Sequence, residues 1–403
     1  MSDVPTVALA GVSGYGRRHL QTLLRLHAAG RVALVGIADP SYPPEIDPLL
    51  QHAGAAPERA GDLTRLLGRS VPDTVVIATP PHTHHALASA ALRAGASVYL
   101  EKPPVPLPEQ LDDLDRLVGG RRLEVGFQQT RDVVDVVGAT LEGHPVGRLR
   151  RVTAFGALRR PDSYYARAPW AGRHWLGDAP VFDGSLFNPL AHVLHAALVL
   201  ARQEDPAWRA ERIDTMLASV RDIEADDFAA LRVSTSAGPT VTAIGTTAAD
   251  RVIEPSIALV GEFGTVTVRH RDLRVRVNRA GREVEIHGVP GTPALERAVT
   301  DPHGVADPVA DLAGVRPFVT VVAATVRLFP RPVRLRGRVD GGEDPQTCLP
   351  GIARAIRDAV RSGRLPGEHP EAGDPVGERP AADGDMNAPT YAARMRITSG
   401  AIE

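Results

Sequence analysis

Apolar runs and helical periodicity alternate through the first third of the chain. Thr6–Ala10 is a short apolar run ending in the glycine-bearing turn Gly11-Val12-Ser13-Gly14-Tyr15-Gly16. Leu20, Leu23, Leu24 and Leu26 then cluster on one side of a helical pattern, and Val32–Ala38 is a continuous apolar run ending at Asp39. Continuous runs of this kind predict strands covered on both faces, so the order predicts a βαβ unit in a parallel sheet. The alternation goes on with a short helix at Asp62–Leu67, a strand at Thr74–Ala78 and an alanine-rich helix at Thr83–Ala94. Gly95 is placed to end that helix as its C′ residue. A strand at Ser97–Leu100, a helix at Pro108–Val118 and a strand at Arg122–Val125 complete the series. Such a series predicts a doubly wound α/β domain.

After about residue 127 the pattern changes. A helix from about Arg131 to Glu142 leads to a long strand at Leu149–Leu158, and Leu186–Ala201 reads as a strongly apolar helix. Alternating segments follow at Ile213–Arg221, Phe228–Thr235, Thr240–Thr246, Ile257–Val260, Thr265–Arg269, Leu273–Val277 and Val284–Ile286, punctuated by Gly and Pro. They predict a large, mostly antiparallel open sheet. Helices at Val309–Leu328 and Pro345–Val360 close the second domain. The expected organisation is a dinucleotide-binding doubly wound domain over 1–126, an α+β domain over 127–365 and a flexible tail over 366–403, with a Gly/Pro/Glu/Asp-rich linker at 366–386. Met386–Ile397 is less polar and suits docking on a neighbour, although a disordered tail is the preferred reading.

Length and charge narrow the function classes. At 403 residues, two to three domains are expected. A formal net charge of -2 gives no electrostatic reason for nucleic acid or an anionic membrane as partner. A single cysteine, Cys348, precludes an internal disulfide and fits a reducing cytoplasm, the expected location. No signal-peptide pattern opens the chain, and no apolar run approaches the ~20 residues of a membrane helix. The basic residues are lopsided: of 46, one is lysine and 45 are arginine. An arginine neither gives nor takes a proton near neutral pH, whereas a lysine amine is tuned by its surroundings. Lys102 therefore stands out, although composition alone leaves a chance surface lysine equally open.

Four clusters carry candidate chemistry. In the first, G-x-G-x-x-G reads Gly11-x-Ser13-Gly14-x-Gly16, with Ser13 in place of the middle glycine and Tyr15 before the last. Such a turn lets backbone amides and a helix N-terminus approach a pyrophosphate. Asp39, at the end of the second strand, suits adenosine ribose hydroxyls and repels a 2′-phosphate, which favours NAD over NADP. The second cluster is Thr79-Pro80-Pro81-His82-Thr83-His84 at a strand's C-terminal end. Two adjacent histidines, His84 and His85, without a carboxylate or thiolate, read as a helix cap or a cofactor-lining turn, and no metal is expected. The third is Glu101-Lys102-Pro103-Pro104, so the one lysine also sits at a strand's C-terminal end. The fourth runs from Gly184 to His195, where Asn188 and His192 are four apart and share a face of the predicted helix.

Together the clusters resemble the Gfo/Idh/MocA oxidoreductase family over roughly residues 5 to 365. "ATPPHTHHALASAALRAGASVYLEKP" is similar to that family's helix, strand and EKP segment, and "IALVGEFGTVTV" to a piece of its second-domain sheet. The resemblance implies hydride transfer between a nicotinamide cofactor and a secondary alcohol or ketone of a sugar, sugar derivative or cyclitol. It implies catalytic roles for Lys102 and His192, with Asn188 orienting His192 or a substrate hydroxyl. Gly11, Ser13, Gly14, Tyr15, Gly16, Asp39, Thr79, Pro80, His84, Glu101, Lys102 and Gln128 are the expected cofactor-binding positions. A homodimer or homotetramer is the implied assembly.

The sequence also departs from the family. Its helix commonly reads D-x-G-x-H-x-x-D, and here Asn188 and His195 stand at the two acids, an N-x-x-A-H-x-L-H pattern that reads as a subgroup. An arginine often found after the last strand of the first domain is absent, and Gly126-Phe127-Gln128-Gln129-Thr130 stands there. Tyr164, Tyr165, Trp170 and Trp175, before the helix, suit sugar stacking or a lid, with core packing nearly as good a reading. Two other functions stay open: a non-catalytic sensor of dinucleotide and sugar, and a hydrolase or epimerase that uses bound NAD transiently.

Overall fold

The computed structural model describes residues 4–143, 145–366, 368 and 393–396. It divides into two compact units, Met1–Gln128 with Gly291–Val319, and Gln129–Pro290 with Thr320–Glu403. Residues 291–319, which a contiguous boundary at residue 126 assigns to the second domain, lie in the first unit.

In the first unit β1 (Thr6–Ala10), α1 (Gly16–Ala28), β2 (Ala33–Ala38), α2 (Ile46–His52), β3 (Glu58–Ala60), α3 (Leu63–Leu67), β4 (Thr74–Ile77), α4 (His84–Ala94), β5 (Ser97–Leu100), α5 (Pro108–Val118) and β6 (Leu123–Val125) alternate. The six strands are all parallel, in the order β3-β2-β1-β4-β5-β6. Continuous burial along β4 and β5 explains their unbroken apolar sequence. The expected helix at Asp62–Leu67 is α3, with the Asp62 carboxylate accepting from the Arg65 amide at 2.8 Å as its N-cap. α4 ends at Gly95 in the left-handed conformation, φ 105°. Its expected first turn differs: Pro81–Thr83 forms a 3-10 turn, and the α-helix starts at His84. α2 and β3 escape the sequence pattern, since α2 contains Pro48 and β3 has only three residues, two of them charged.

The returning segment 291–319 is bound by packing and hydrogen bonds. Its helix Ala294–Thr300 adds Ala294, Leu295, Ala298 and Val299 to the core formed by β1, β2 and α1. Burying each of the larger side chains contributes roughly 1.5–3 kcal/mol. Glu296 pairs with Arg25 at 2.8 Å and with Arg31. Farther on, the Ser97 hydroxyl donates to the Pro302 carbonyl at 2.8 Å, and the Val125 amide to that of Ala310 at 2.8 Å.

The second unit holds α6 (Thr130–Leu141), β7 (Leu149–Arg159), α7 (Ser163–Ala166), β8 (Trp175–Leu176), β9 (Ala179–Pro180), α8 (Ala191–Glu204), β10 (Arg212–Ser219), β11 (Phe228–Ser234), β12 (Thr240–Thr246), β13 (Ala248–Gly261), β14 (Gly264–Arg269), β15 (Arg274–Arg279) and β16 (Arg282–His287). After the helix Leu312–Leu328 come β17 (Val333–Arg334), β18 (Arg338–Asp340), β19 (Gln346–Cys348), the helix Ile352–Ser362 and β20 (Ala393–Arg396). The main sheet runs β16-β15-β14-β13-β7-β12-β11-β10-β17, with β20 also on β10. Only β7 with β12 and β10 with β17 pair in parallel, so the sheet is mostly antiparallel.

Three boundaries move for physical reasons. The helix expected at Pro345–Val360 is instead β19 followed by Ile352–Ser362, because Gly351 at φ 78° breaks the chain between them. The helix expected from Val309 begins at Leu312. The helix expected from Leu186 begins at Ala191, after a turn through Pro189, a residue that keeps Asn188 out of helical conformation. Of the expected tail, 369–392 and 397–403 lie outside the described residues, whereas Ala393–Arg396 pairs antiparallel with Arg212–Thr215. Among the described residues no helix is long and apolar enough to cross a membrane.

Candidate active site

The C-terminal ends of the parallel strands gather the first three sequence clusters on one sheet edge: Gly11 after β1, Asp39 after β2, Thr79 after β4, and Glu101 and Lys102 after β5. In a doubly wound sheet that edge is where ligands bind, and β1 beside β4 is its switch point. Gly11 has φ 88°, and a Cβ there would lie 2.6 Å from the Ala78 carbonyl oxygen. At Gly16 a Cβ would overlap the Gly11 carbonyl oxygen. Both glycines are thus required by close backbone approach between the turn, α1 and β4. Gly14 differs: it has φ 55°, is exposed, and a Cβ there meets nothing within 4 Å. Ser13 and Tyr15 are exposed beside it, and Tyr15 stands at the N-cap of the 13-residue α1 without a side-chain cap. The turn is therefore closed toward the sheet and open outward, as a pyrophosphate cradle requires.

The Asp39 carboxylate is fixed by both oxygens, accepting from the Val12 amide at 2.9 Å and the Ser41 amide at 2.9 Å. Each oxygen keeps acceptor capacity, because a carboxylate has about four lone-pair sites. Thr79 and Thr83 meet hydroxyl to hydroxyl at 2.6 Å. The Thr83 hydroxyl donates to the Pro80 carbonyl at 2.7 Å, so Thr79 is the donor between the two. This network, rather than a side-chain cap from Thr83, shapes the turn before α4.

His84 is turned inward and buried. Nδ1 lies 2.9 and 2.8 Å from the Pro103 and Pro104 carbonyls, and Nε2 lies 2.8 Å from the Thr79 carbonyl. Burial holds its pKa below the ordinary histidine value, against the pull of those carbonyls. Held neutral, the ring has one N–H to donate, so it hydrogen-bonds either the loop after β5 or the loop after β4 and packs between the two. His85 faces Asp113 at 3.4 Å, and among the described residues no histidine or carboxylate group is arranged to hold a metal ion.

Glu101 anchors the lysine loop. Buried at 5% exposure, it accepts from Gln128 Nε2 at 2.7 Å and from the Lys102 amide at 3.0 Å, and it pairs with His19 Nε2 at 2.8 Å. Three protein partners hold its carboxylate, so Glu101 and Gln128 position the loop, and the bond from Lys102 to Pro103 is cis. His19 has no sequence signal beyond its place on the buried face of α1, and only the fold brings it to Glu101.

In the second unit Asn188 lies in the turn before α8, so it does not share a helix face with His192. Its amide instead donates to Asp183 Oδ1 at 2.7 Å. Asp183 is 4% exposed, accepts from the Gly172 amide at 2.8 Å through Oδ2, and has Arg167 at 3.7 Å. An acid therefore accompanies Asn188 after all, supplied five residues upstream. The nearest signal in the sequence is an isolated Asp before Gly184, too weak to find it. Behind this turn Asp226, fully buried, accepts from the Ser185 amide at 2.9 Å and hydroxyl at 2.6 Å. Burial pushes its carboxyl up to about 7.

His192, in the first turn of α8, stands against the His270 ring at a centroid distance of 5.2 Å. His270 is buried, and burial lowers it to about 4. His195, on the same helix, is fully buried. The aromatic loop is part wall and part surface. Tyr165 donates or accepts at Thr247 Oγ1 at 2.5 Å, Tyr164 and Trp170 flank the Arg167 guanidinium, and Trp175 is exposed against Phe182.

A glycine turn between β1 and α1 at the switch point of a 321456 parallel sheet defines a dinucleotide-binding domain, here joined to an α+β unit. Residues 6–127 match the model of the Gfo/Idh/MocA oxidoreductase family, NAD-binding Rossmann fold. Inositol 2-dehydrogenase 1 of Saccharopolyspora erythraea is 34% identical over 132 residues, 31% of this chain and 37% of that protein. UDP-N-acetylglucosamine 3-dehydrogenase of Acidithiobacillus ferrooxidans is 34% identical over 87 residues, 22% of this chain and 25% of that protein. The chain thus matches well under half the length of these curated relatives. Both units share their fold with solved structures. The WlbA dehydrogenase of Bordetella pertussis, in complex with NADH and UDP-GlcNAcA, aligns with TM-score 0.62 and 24% identity over 80% of this chain and 95% of that one. A levoglucosan dehydrogenase in complex with NADH and levoglucosan aligns with TM-score 0.63 and 17% identity over 80% and 96%.

Proposed function

We infer that the protein is an NAD-dependent oxidoreductase that interconverts a secondary alcohol and a ketone on a sugar, sugar derivative or cyclitol. The observation that carries this reading is the lone lysine, held by the Glu101 clamp at the ligand-binding edge of an NAD-binding domain. Gly11, Gly14 and Gly16 with the start of α1 suit the pyrophosphate, and Asp39 the adenosine ribose, which favours NAD over NADP. Bound NAD supplies the hydride acceptor in the oxidising direction.

The residues of this chain manage the proton and the oxygen. The Lys102 ammonium donates to the reacting oxygen and stabilises its developing negative charge. His192 takes the hydroxyl proton in oxidation and returns it in reduction, since an imidazole titrates near working pH. Asn188, fixed by Asp183, orients substrate or His192. The named relatives support the substrate class, being dehydrogenases of inositol and of a nucleotide sugar.

A 340 nm screen of sugars, cyclitols, nucleotide sugars and their keto forms, with NAD and NADP in parallel, tests the reading. Turnover with at least one polyol or keto sugar, faster with NAD, is expected. Dinucleotide binding without turnover on any of them points to the sensor instead. Product formation without added cofactor, from enzyme retaining NAD, points to transient redox in a hydrolase or epimerase.

A further inference from the structure

A cavity of about 1060 Å³ lies within the second unit, between the loop that follows β7 and the loop that joins β10 to β11. Its volume lies just above the roughly 300–1,000 Å³ of small-molecule sites, so it has room for more than a single sugar ring. Four arginines line it: Arg167, Arg173, Arg221 and Arg334.

Their charges are not equally committed. Arg221 is 6% exposed and fully engaged: Nε donates to Asp162 at 2.7 Å, Nη1 to Asp227 at 3.3 Å, and Nη2 to the Arg160 and Thr347 carbonyls at 2.7 Å. Asp162 is itself held by the Thr347 amide and hydroxyl, so Arg221 is committed to a closed network in which two carboxylates face its one guanidinium. Arg334 donates to the carbonyls of Arg221 and Ile223 and to Asp222 at 3.2 Å. Arg167 stands with its guanidinium 3.6 Å from the Tyr164 ring centroid, which fixes its plane. Its Nη1 donates to the Tyr164 carbonyl, and at 3.7 Å it forms a loose ion pair with Asp183, beyond hydrogen-bonding distance, so a ligand can compete for the rest of its donors. Arg173 is exposed and forms no ion pair among the described residues. Against these last two cations the lining offers one further carboxylate, the exposed Glu224.

The cavity is also joined to the candidate active site. The Gly172 amide on its wall donates to Asp183, and the Arg173 carbonyl accepts from the Asp183 amide at 2.8 Å. Asp183 in turn holds Asn188. A ligand that draws Arg167 from Asp183 acts on the partner of Asn188.

We propose that this cavity binds the anionic portion, a phosphate or carboxylate, of a sugar derivative, with Arg167 and Arg173 as its cationic contacts. A guanidinium presents parallel N–H donors that match either group. The proposal rests on the sugar-oxidoreductase reading for the rest of the ligand, and within that reading it narrows the substrate class to charged sugar derivatives.

Titration of the full-length chain with glucose 1-phosphate, glucuronate, glucose and inorganic phosphate tests it. Tryptophan fluorescence is the readout, because Trp170 flanks Arg167. At least one of the two charged sugars is expected to bind at least tenfold more tightly than glucose and than inorganic phosphate, and which one distinguishes phosphate from carboxylate. Arg173→Gln and Arg167→Gln should each weaken that binding at least fivefold. Arg173→Lys, at an exposed position that tolerates change, should retain it within about threefold at low salt, since the charge is kept. Glucose binding as well as both charged sugars overturns the proposal, as does inorganic phosphate binding as tightly as glucose 1-phosphate, or affinity unchanged in both glutamine variants. Charged-sugar selectivity without turnover on any polyol leaves the cavity standing and removes the redox reading. Turnover of neutral polyols without such selectivity does the reverse.

Discussion

Glu101 accepts from Gln128 and from the Lys102 backbone and pairs with His19, so side chains from α1 and from the segment after β6 hold the loop that carries the one lysine. The lysine's backbone amide is thus held by Glu101, apart from whatever its side chain contacts. Lys102→Arg should abolish turnover while NAD affinity, measured by calorimetric titration, changes less than about threefold; turnover at the native rate removes the assigned role. A guanidinium keeps the charge but not the compact ammonium donor. At Gly16 the constraint is steric. Gly16→Ala places a methyl group on the Gly11 carbonyl oxygen, and the turn must shift to admit it. Overpacking of this kind costs about 1–3 kcal/mol. Lowered thermal stability and a loss of NAD affinity of at least tenfold are expected, and a variant that binds NAD normally shows that the turn is not the cradle.

The turn from Asp183 to Leu190 joins the aromatic loop to α8, and Asp226 braces it from below. Burial raises the Asp226 carboxyl to about 7, although the Ser185 hydroxyl and amide pull it down. In the unfolded chain the same group titrates near 4. Between these values the native state holds a proton that the unfolded state has released, so this group's contribution to stability falls as pH rises from about 4 to about 7 and then levels. Asp226→Asn removes the titration and keeps an acceptor for Ser185. Urea unfolding at pH 5 and pH 8 should show the variant gaining on the native chain at the higher pH, by about 1–4 kcal/mol; a pH-independent difference refutes the assignment. At this scale the sequence was legible where an element is defined by its own residues. Asp62 caps α3, Gly95 ends α4, and β1, β2, β4 and β5 follow their apolar runs. It was not legible at Asn188, where helical spacing suggested a shared face with His192 and Pro189 instead forces a turn. It was not legible either at His84, whose ring packs between two loops.

Across the whole chain, distant segments complete each unit. Residues 291–319 return to the first unit, and Ala393–Arg396 pairs with Arg212–Thr215 at one edge of the second unit's sheet. Truncation after Glu368 retains the pairing of that glutamate with Arg232 and removes the edge pairing. Amides of Arg212–Thr215 that bond to the lost strand should exchange at least tenfold faster, those of the first unit should be unchanged, and association should grow with concentration as the bare edge finds partners. Exchange rates identical to those of the full chain argue against the pairing. The sequence by itself determined the two fold classes, the strand-end edge where Gly11, Asp39, Thr79 and Lys102 gather, and the singular lysine, because apolar periodicity and turn chemistry act between near neighbours. Only the tertiary structure decided that His19 meets Glu101, that Asp183 holds Asn188, that 291–319 crosses back, and that arginines from separate segments surround one cavity. The hydrophobic effect that drives collapse is non-directional, so an apolar pattern says that a face is buried without saying against what. Which polar groups then meet follows from the packed arrangement, since each group buried there needs a partner.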